Sequence, residues 1–349
     1  MIPRLIKSMF AALATTVAIS SCSMIEDGSD CVLSSNLVRF KYDYNMKHAD
    51  AFSSEVKQVT LLAFDSKTGK LVQRHDVPVK DMRNGNSIPL EVEPGAYDLL
   101  AWGGEHSKSF DIAVGKIGES TINDFHAYLR RTIDANGTHN VTEDIAPLFH
   151  GMMHVDLGYA SPSNPDIIEM PLVKDTNVIR VILQHVTGEL VNHSDFTFTI
   201  TDSNGWLNAD NSLRDNQSIS YHPWRLYTGT VDINTNPSDA PSNRSMSSLG
   251  SRSLLGGSMA EFTLSRLMME NNPELTVTDK SGKTILKINL RDYALLIKGF
   301  YNESMSDQEY LDRQDEYNMT FFLDEGNRWL NAVIIINDWR IVRNSLPLE

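Results

Sequence analysis

The residues of this sequence best suited to covalent chemistry are its two cysteines, Cys22 and Cys31, which lie nine positions apart. Two thiols in one chain can form a disulfide, bind a metal or have separate fates. In an exported protein, an even number of cysteines usually indicates disulfide bonds. The residues before Cys22 bear directly on this choice, because they indicate whether its thiol stays free.

Residues 1–21 have the pattern of an export signal. Arg4 and Lys7 form a positive start, and residues 9–20 are apolar or small. This run is too short to span a bilayer, which takes about 20 apolar residues. The alternative is an N-terminal core helix, but the apolar residues show no one-sided periodicity. We therefore predict that residues 1–21 are a signal peptide, absent from the mature protein.

The signal ends in Ile19-Ser20-Ser21-Cys22, which resembles the bacterial lipobox. The resemblance implies cleavage between Ser21 and Cys22, a diacylglycerol on the Cys22 sulfur, and an acyl chain such as palmitate on the new amino terminus. Several acyl chains together anchor a protein stably, at about 0.8 kcal/mol per buried methylene. Cys31 would then be the only thiol and could form no internal disulfide.

Residues 22–37 are predicted to form a lipidated tether, because they contain Gly, Ser, Asn and acidic residues and show little apolar periodicity. Fully stretched, such a segment reaches about 50 Å, enough to hold a domain off a membrane. Glu26, Asp27 and Asp30 resemble the loosely defined acidic cue that sends such lipoproteins to the outer face of the outer membrane.

His150 and His154 are the histidines with metal-ligand spacing, four apart in the sequence HGMMH. The zinc motif of this spacing has a glutamate where this chain has Gly151, and no third ligand is indicated. Residues 232–239 place oxygen atoms at alternating positions, but lack the glycine and the glutamate of a calcium loop. Ordinary strand and turn residues are the better interpretation of both segments, so we predict no metal and no cofactor.

Other classes of function have little support in the sequence. There is no nucleophile elbow, phosphate-binding loop or dinucleotide fingerprint, so neither an enzyme nor a small-molecule substrate is predicted. The net charge of -14 argues against nucleic-acid binding, which usually needs a basic surface. Tryptophans can stack on sugars, but most are expected to be partly buried strand residues. They are Trp102, Trp206, Trp224, Trp329 and Trp339.

The rest of the chain shows alternating patterns typical of strands. Residues 38–44 and 196–202 alternate apolar and polar side chains, and residues 274–290 indicate a hairpin. Short strands of this kind in two blocks, with few helices, favour β-sandwiches. We therefore predict an all-β protein with two transthyretin-like β-sandwich domains in tandem, the domain type coming from the resemblance given below.

Three local predictions are more specific. Residues 88–101 indicate an antiparallel hairpin whose turn is Pro94-Gly95. Residues 121–131 indicate a short helix. Ser306 and Glu309 have the spacing of a helix-capping box and predict a second helix there.

A polar loop near residues 160–166 separates the two blocks and predicts the domain boundary. The predicted organisation is a signal peptide over 1–21, a lipidated tether over 22–37, an N-terminal β-sandwich over 38–162 and a C-terminal β-sandwich over 163–349.

An ordered set of segments resembles the FimB-type fimbrial anchor family, lipoproteins of Gram-negative surface fimbriae whose subunits join by strand exchange. The set comprises the lipobox, the lone second cysteine, VRFKYDYNMKHADAF, VTLLAFDSKTGKLV, EPGAYDLLAWGG, PLVKDTNVIRVILQHVTGE, AEFTLSRLM and AVIIINDWRI. The resemblance implies outer-membrane attachment with the domains facing outward and no catalytic residue. It also implies a role in tying the fimbrial base to the cell, limiting fimbrial length and pairing with a stalk or accessory subunit.

The first basic residue after Cys22 is Arg39, inside the first predicted strand. In stalk subunits of such fimbriae, a protease cuts after a basic residue and removes an N-terminal segment. Residues 23–38 contain no Lys or Arg, which favours an anchor that stays attached through Cys22. The alternative function is a surface glycan-binding or adhesive lipoprotein on the same fold.

Overall fold

The computed structural model describes residues 34–342 apart from residues 83–84, 162, 215–216, 233–253 and 300–301. Within these residues the chain forms 23 strands and three short α-helices. None of the described helices is long and apolar enough to cross a membrane. Cys22, Cys31 and most of the segment 232–239 lie outside the described residues.

The first half of the described chain is almost entirely strand. Its elements are β1 (Ser34–Lys41), α1 (Phe52–Glu55), β2 (Gln58–Asp65), β3 (Lys70–Pro78), β4 (Ser87–Val92), β5 (Gly95–Gly104), β6 (Phe110–Ile112), β7 (His126–Leu129), β8 (Thr132–Ile133), β9 (His139–Val141), β10 (Leu148–Leu157), β11 (Asp166–Pro171) and β12 (Val173–Lys174).

The second half adds the two remaining helices. Its elements are β13 (Thr176–His185), β14 (Phe196–Asp202), β15 (Trp206–Asn208), β16 (Ile219–Tyr221), β17 (Arg225–Asp232), β18 (Leu254–Ser265), β19 (Glu274–Asp279), β20 (Thr284–Asn289), α2 (Leu290–Leu295), α3 (Asp307–Arg313), β21 (Glu316–Leu323), β22 (Trp329–Ile336) and β23 (Trp339–Val342).

Two sheets form the first sandwich. One has the strand order β11-β1-β4 and the other β12-β10-β5-β2-β3. The alternation predicted for the first strand is confirmed, because Val38, Phe40 and Tyr42 are buried in the core between these sheets. Phe40 also stacks on Phe52 of α1, with ring centres 5.8 Å apart.

The five-stranded sheet is buried on both faces. Leu61 and Ala63 of β2 face the core of the first sandwich, whereas Leu62 and Phe64 face a second apolar core. Successive side chains of a strand point to opposite faces of the sheet. A strand buried on both faces needs a continuous apolar run, and VTLLAF is such a run.

The second sandwich packs on that outer face. Its two six-stranded sheets have the orders β17-β18-β13-β21-β22-β23 and β20-β19-β14-β16-β9-β8, and a small sheet has the order β15-β7-β6. Phe196, Phe198 and Ile200 are buried, as the alternation of their segment predicted. The predicted hairpin over 274–290 is confirmed by the antiparallel pairing of β19 with β20. The all-β class with two sandwiches in tandem is thus confirmed.

Strand pairing does not follow the predicted boundary between residues 162 and 163. The strands β7 and β9 precede that boundary but pair with β15 and β16, which follow it. The strands β11 and β12 follow the boundary but pair with β1 and β10. In addition, β1 begins at Ser34, so the last residues of the predicted tether belong to the folded domain.

The predicted hairpin over residues 88–101 is wrong, although both of its strands form. The strand β4 pairs with β1, and β5 pairs with β2 and β10, in different sheets. Pro94 therefore lies in a corner that carries the chain from one sheet to the other. The Tyr97 hydroxyl donates a hydrogen bond to the Glu93 carbonyl at 2.8 Å and stabilises this corner.

The predicted helix over residues 121–131 is also wrong. A single 3₁₀ turn forms at Ile122–Asp124, and then the chain continues as β7. Phe125, Ala127 and Leu129 are all buried, and their spacing of two residues is that of a strand. By contrast, the helix predicted near Ser306 is confirmed as α3, whose Glu309 amide donates to the Ser306 hydroxyl at 3.0 Å.

Candidate assembly surfaces and the junction between the sandwiches

The first strand lies in the middle of its sheet. It pairs in parallel with β11 from Asn36 to Lys41 and antiparallel with β4 from Ser34 to Arg39. Both of its edges are therefore satisfied by hydrogen bonds along most of its length. Removal of β1 would open a groove between β4 and β11, whereas its retention keeps the first sandwich closed at that position.

Lys174 joins the two sandwiches at the point where the chain passes between them. Its Nζ contacts Glu55 Oε2 of α1 at 2.9 Å and Asp315 Oδ2, next to β21, at 2.6 Å. Only 12% of the Lys174 side chain is exposed. Burial acts to lower the pKa of this ammonium, but the two carboxylates outweigh it and raise the pKa. Lys174 therefore stays charged and ties both halves together.

Asp175 begins a second, more buried polar cluster. Its Oδ1 accepts a hydrogen bond from Asn211 Nδ2 at 2.8 Å, and Oδ2 has no hydrogen-bond partner among the described residues. The Arg266 guanidinium lies 3.8 Å from Asp175 but makes its bidentate contact with Asp312, at 2.7 Å for each bond. Complete burial raises the pKa of Asp175 to about 7, although Arg266 and Asn211 oppose the shift.

The sequence did not indicate these four residues, because they come from distant segments and match no motif. Asp175 lies in PLVKDTNVIRVIL, a segment that also contains Lys174 and Arg180, so its charge alone does not mark it as buried. Charged side chains are almost never fully buried unless they are paired. Here the partners of Asp175 follow 36 and 91 positions later, at Asn211 and Arg266.

The two histidines considered as metal ligands have separate partners. His150 Nε2 lies 2.8 Å from the Ala209 carbonyl, and its ring contacts Trp102 at 4.8 Å between centres. Burial lowers the pKa of His150 to about 4, so the ring is neutral. His154 is exposed, and its hydrogen bond with Asp98 raises its pKa. Over the described part of the chain, no three His, Cys, Asp or Glu side chains are grouped to hold a metal.

A groove of about 700 Å³ runs beside these histidines, between the two sandwiches. Residues from β10, from the segment between β11 and β12, and from the second sandwich line it. A neighbouring cavity of about 760 Å³ shares Met152 and Asp210 with it. The second cavity also contains Arg214, whose guanidinium lies 4.6 Å from the ring centre of Trp206.

The tryptophans occupy varied positions. Trp102 is fully buried, and Trp206 is half-buried under Arg214. Trp224 and Trp329 are half-buried, and Trp339 on the last strand is 61% exposed. The predicted lipidation and cleavage residues, Cys22 and Ser21, lie outside the described residues, so the lipid anchor stays a prediction.

Solved structures share this architecture over nearly their whole length. A candidate adhesin from Bacteroides thetaiotaomicron is 29% identical with a TM-score of 0.73, over 89% of this chain and 99% of that chain. A candidate polysaccharide-binding protein from the same organism is 28% identical with a TM-score of 0.72, over the same shares. No curated protein sequence matches the chain significantly.

The fimbrial anchor protein Mfa2 from Porphyromonas gingivalis has a TM-score of 0.62 at 18% identity, over 89% of this chain and 99% of that chain, which shows a common fold. The model of one protein family matches residues 26–345, and it confirms the resemblance to fimbrial anchors. This family implies a cell-surface fimbrial location and fimbrial subunits as partners. The chain belongs to the family of fimbrillin-A-associated anchor proteins Mfa1 and Mfa2.

Proposed function

We propose that this protein anchors a surface fimbria to the outer membrane through lipidated Cys22 and joins the next subunit by strand exchange. The observation that carries the proposal is the position of β1, which begins at Ser34 and lies between two hydrogen-bonded neighbours. Cys22 precedes Ser34 by twelve residues. A segment of that length reaches at most about 40 Å, so the first sandwich stays close to the membrane.

The position of β1 suits a load-bearing anchor. A pull on the tether acts on a central strand, which is hydrogen-bonded to β11 and to β4 over six residue pairs each. Because Arg39 is the first basic residue after Cys22 and lies within β1, cleavage after it would require the strand to leave the sheet. The structure thus supports a chain that retains its N-terminal segment, and hence its lipid.

The proposed role is structural and not enzymatic. The partner would be a fimbrial stalk or accessory subunit, held by main-chain hydrogen bonds along a sheet edge and by alternating side-chain contacts. The Lys174 side chain at the junction is used here to join the sandwiches, through its ion pairs with Glu55 and Asp315.

Replacement of Cys22 tests the lipid anchor. In Cys22→Ala the sulfur that would receive the diacylglycerol is absent, so we expect the protein to move from the outer membrane to a soluble fraction. The matched control is Cys31→Ala, which we expect to stay with the membrane. Fractionation followed by immunoblotting measures both variants, and membrane retention of Cys22→Ala equal to the wild type would refute the lipid anchor.

Deletion of the gene tests the anchor role. We expect fimbriae to be released into the medium or to change in length, as measured by electron microscopy and by fimbrial protein in the culture supernatant. Cell-bound fimbriae of normal length would contradict the proposed function.

Polysaccharide binding is the second candidate function. The 28% identical structure of a candidate polysaccharide-binding protein favours it, and so does the cavity lined by Asn123, Asn208, Asp210 and Arg214, which offers amide, carboxylate and guanidinium groups to sugar hydroxyls. Saturable binding of a surface polysaccharide to the purified protein, together with normal fimbriae after deletion, would favour this function over the anchor.

A further inference from the structure

The strand β10 has a long edge without a strand partner. On one side it pairs with β5 along all ten residues, from Leu148 to Leu157. On the other side it pairs with β12 only at Phe149 and His150. Among the residues that the structure describes, no strand lies beside the remaining part of that edge.

Main-chain groups of successive residues point to alternate edges of a strand, so the residues of β10 that face the open edge can be identified. The Asp175 amide donates to the Leu148 carbonyl at 2.8 Å, so Leu148 directs its main-chain groups away from β5. In an antiparallel pair every second residue does the same, and the pairing with β5 contains no bulge. Met152, His154 and Asp156 therefore present their N–H and C=O groups at the open edge.

The segment between β11 and β12 packs closely on β10 at Gly151. This close packing explains why the edge of β10 beyond Gly151 has no strand partner. A Cβ atom on Gly151 would lie 2.9 Å from the Pro171 carbonyl oxygen and 2.8 Å from Leu172 Cδ2, so the chain crosses directly over Gly151. The strand β12 follows this crossing, and β11 precedes it in the opposite sheet. The 700 Å³ groove extends along β10 from His150 to His154.

The groove offers different chemistry on its two sides. Met153 and Val155 pack into the apolar core of the first sandwich, whereas Met152 lies on the opposite face of β10 and is 43% exposed. Methionine adapts to partners of varied shape. The side of β10 that carries Met153 and Val155 suits the apolar, inward-facing side chains of an added strand.

The rim of the groove is acidic. Asp98 and Asp210 line it, and Asp156 lies beyond His154, at 4.0 Å from His154 Nε2. The Arg266 guanidinium does not offset them, because Asp312 holds it in a bidentate contact. Basic residues on the outward face of an added strand would complement this rim.

Two other edges, those of β3 and β20, are protected. The Leu71 amide of β3 donates to the Ser120 carbonyl, and Arg74 of that strand donates to the carbonyls of Ala113 and Val114. A neighbouring segment thus covers the outer edge of β3. The strand β20 carries an outward lysine, Lys287, next to an irregular register in its partner β19. Both are devices that discourage strand addition.

We propose that the edge of β10 from Met152 to Asp156 accepts an extended strand from the adjoining fimbrial subunit, with apolar side chains toward the core and basic ones toward the acidic rim. The inference rests on the proposed function and assigns its assembly site. This site is separate from the position of β1, so the chain can receive a partner strand and still keep its tethered N-terminal strand.

A proline at position 154 tests the site. His154→Pro removes an outward N–H and places a ring at the edge, while the hydrogen bonds from β10 to β5 use the alternate residues. The loss of one or two main-chain hydrogen bonds should weaken strand addition by about tenfold or more. We expect fimbrial protein to appear in the medium of cells that make this variant, at a level approaching that of the deletion strain.

Two matched variants serve as controls. His154→Ala removes the imidazole but keeps the N–H. Lys287→Pro makes the same backbone change on β20. The Leu290 amide donates to the Pro273 carbonyl, on the side of β19, so by alternation the Lys287 N–H points away from β19, to the outer edge. Both should retain fimbriae as the wild type does. If the deletion strain releases fimbriae but His154→Pro retains them, the β10 site is wrong while the anchor role stands.

Photo-crosslinking checks the same edge without a proline. Met152→p-benzoylphenylalanine in intact cells should yield an adduct in which mass spectrometry identifies a chain segment of a fimbrial subunit. The same probe at Lys287 should give no such adduct. An adduct with a second copy of this chain, or no adduct at position 152, would overturn the proposal, and circular dichroism confirms that each variant folds.

Discussion

At the scale of single residues, Asp175 is an ionisable side chain in an environment without contact with water. It is fully buried, one carboxylate oxygen lacks a partner among the described residues, and the nearest cation, Arg266, is engaged by Asp312. Removal of a charge from water without full compensation favours the neutral form. Its pKa of about 7 thus follows from packing at the junction.

Replacement of Asp175 should make stability less dependent on pH. The unfolded chain loses this proton near the ordinary aspartate pKa of about 3.9, whereas the folded chain keeps it up to about pH 7. The folded state therefore loses stability as pH rises through this window, by up to about 1.4 kcal/mol per pH unit. We expect Asp175→Asn to be more stable than the wild type at about pH 8 and similar at about pH 4.

The control variant, Asp210→Asn, is expected to change stability at about pH 8 in the opposite direction. Hydrogen bonds from Ser212 hold the pKa of Asp210 below its usual range, so its ionised form stabilises the fold above the ordinary aspartate pKa. Asp210→Asn should therefore lose stability at about pH 8 relative to the wild type. Urea denaturation of both variants across the pH range measures the difference, and equal pH profiles for Asp175→Asn and the wild type would contradict the assignment.

At the scale of elements, the crossing between β11 and β12 shapes the open edge of β10. The crossing passes over β10 at Gly151, and β12 pairs with β10 only at Phe149 and His150. It also explains why a glycine occurs in the middle of a long strand, where glycine otherwise weakens the structure. The close approach involves backbone as well as side-chain atoms, so it cannot relax by rotation of a side chain alone.

Alanine substitution tests this crossing. Gly151→Ala brings a methyl group within 3 Å of the Pro171 carbonyl and of Leu172, and it should destabilise the fold by about 1–3 kcal/mol, as overpacking does. Gly158→Ala is the matched control, since its Cβ would meet no atom within 4 Å. Thermal unfolding compares the two, and equal stability would show that the segment moves aside at little cost.

At the scale of the whole molecule, the five-stranded sheet joins the two sandwiches into one body. One face of β2 and β5 belongs to the core of the first sandwich, and the other face belongs to the core of the second. Lys174 adds ion pairs to both halves at the same junction. A pull on the N-terminal strand is thereby transmitted through packed side chains to the second sandwich, and not through a linker.

Trp102 should therefore stabilise both halves together. It is fully buried on the face of β5 that meets the second sandwich. We expect Trp102→Ala to destabilise the protein by about 3–5 kcal/mol and to lower hydrogen-exchange protection in both sandwiches. Phe40→Ala, inside the first sandwich alone, is the comparison. Loss of protection confined to the first sandwich in Trp102→Ala would show that the halves unfold independently.

Local patterns in the sequence were enough to predict the class of the protein. The lipobox-like segment ending at Cys22, the alternation in residues 38–44 and 196–202 and the ordered motifs predicted an all-β anchor-like protein, because hydrophobic periodicity and short motifs are local properties. The fold class and the family are confirmed, lipidation remains a prediction, and strand pairing crosses the predicted domain boundary.

Which strands are neighbours could not be predicted from local patterns. Pro94-Gly95 looks like a hairpin turn in sequence, but β2 and β10 occupy both edges of β5, so β4 pairs with β1 in the other sheet. Likewise, nothing local to Lys174, Asp175 or Gly151 reveals the junction or the free edge of β10. The junction and the free edge depend on contacts between residues far apart in the chain. The burial that stabilises them exists only after both sandwiches have packed together.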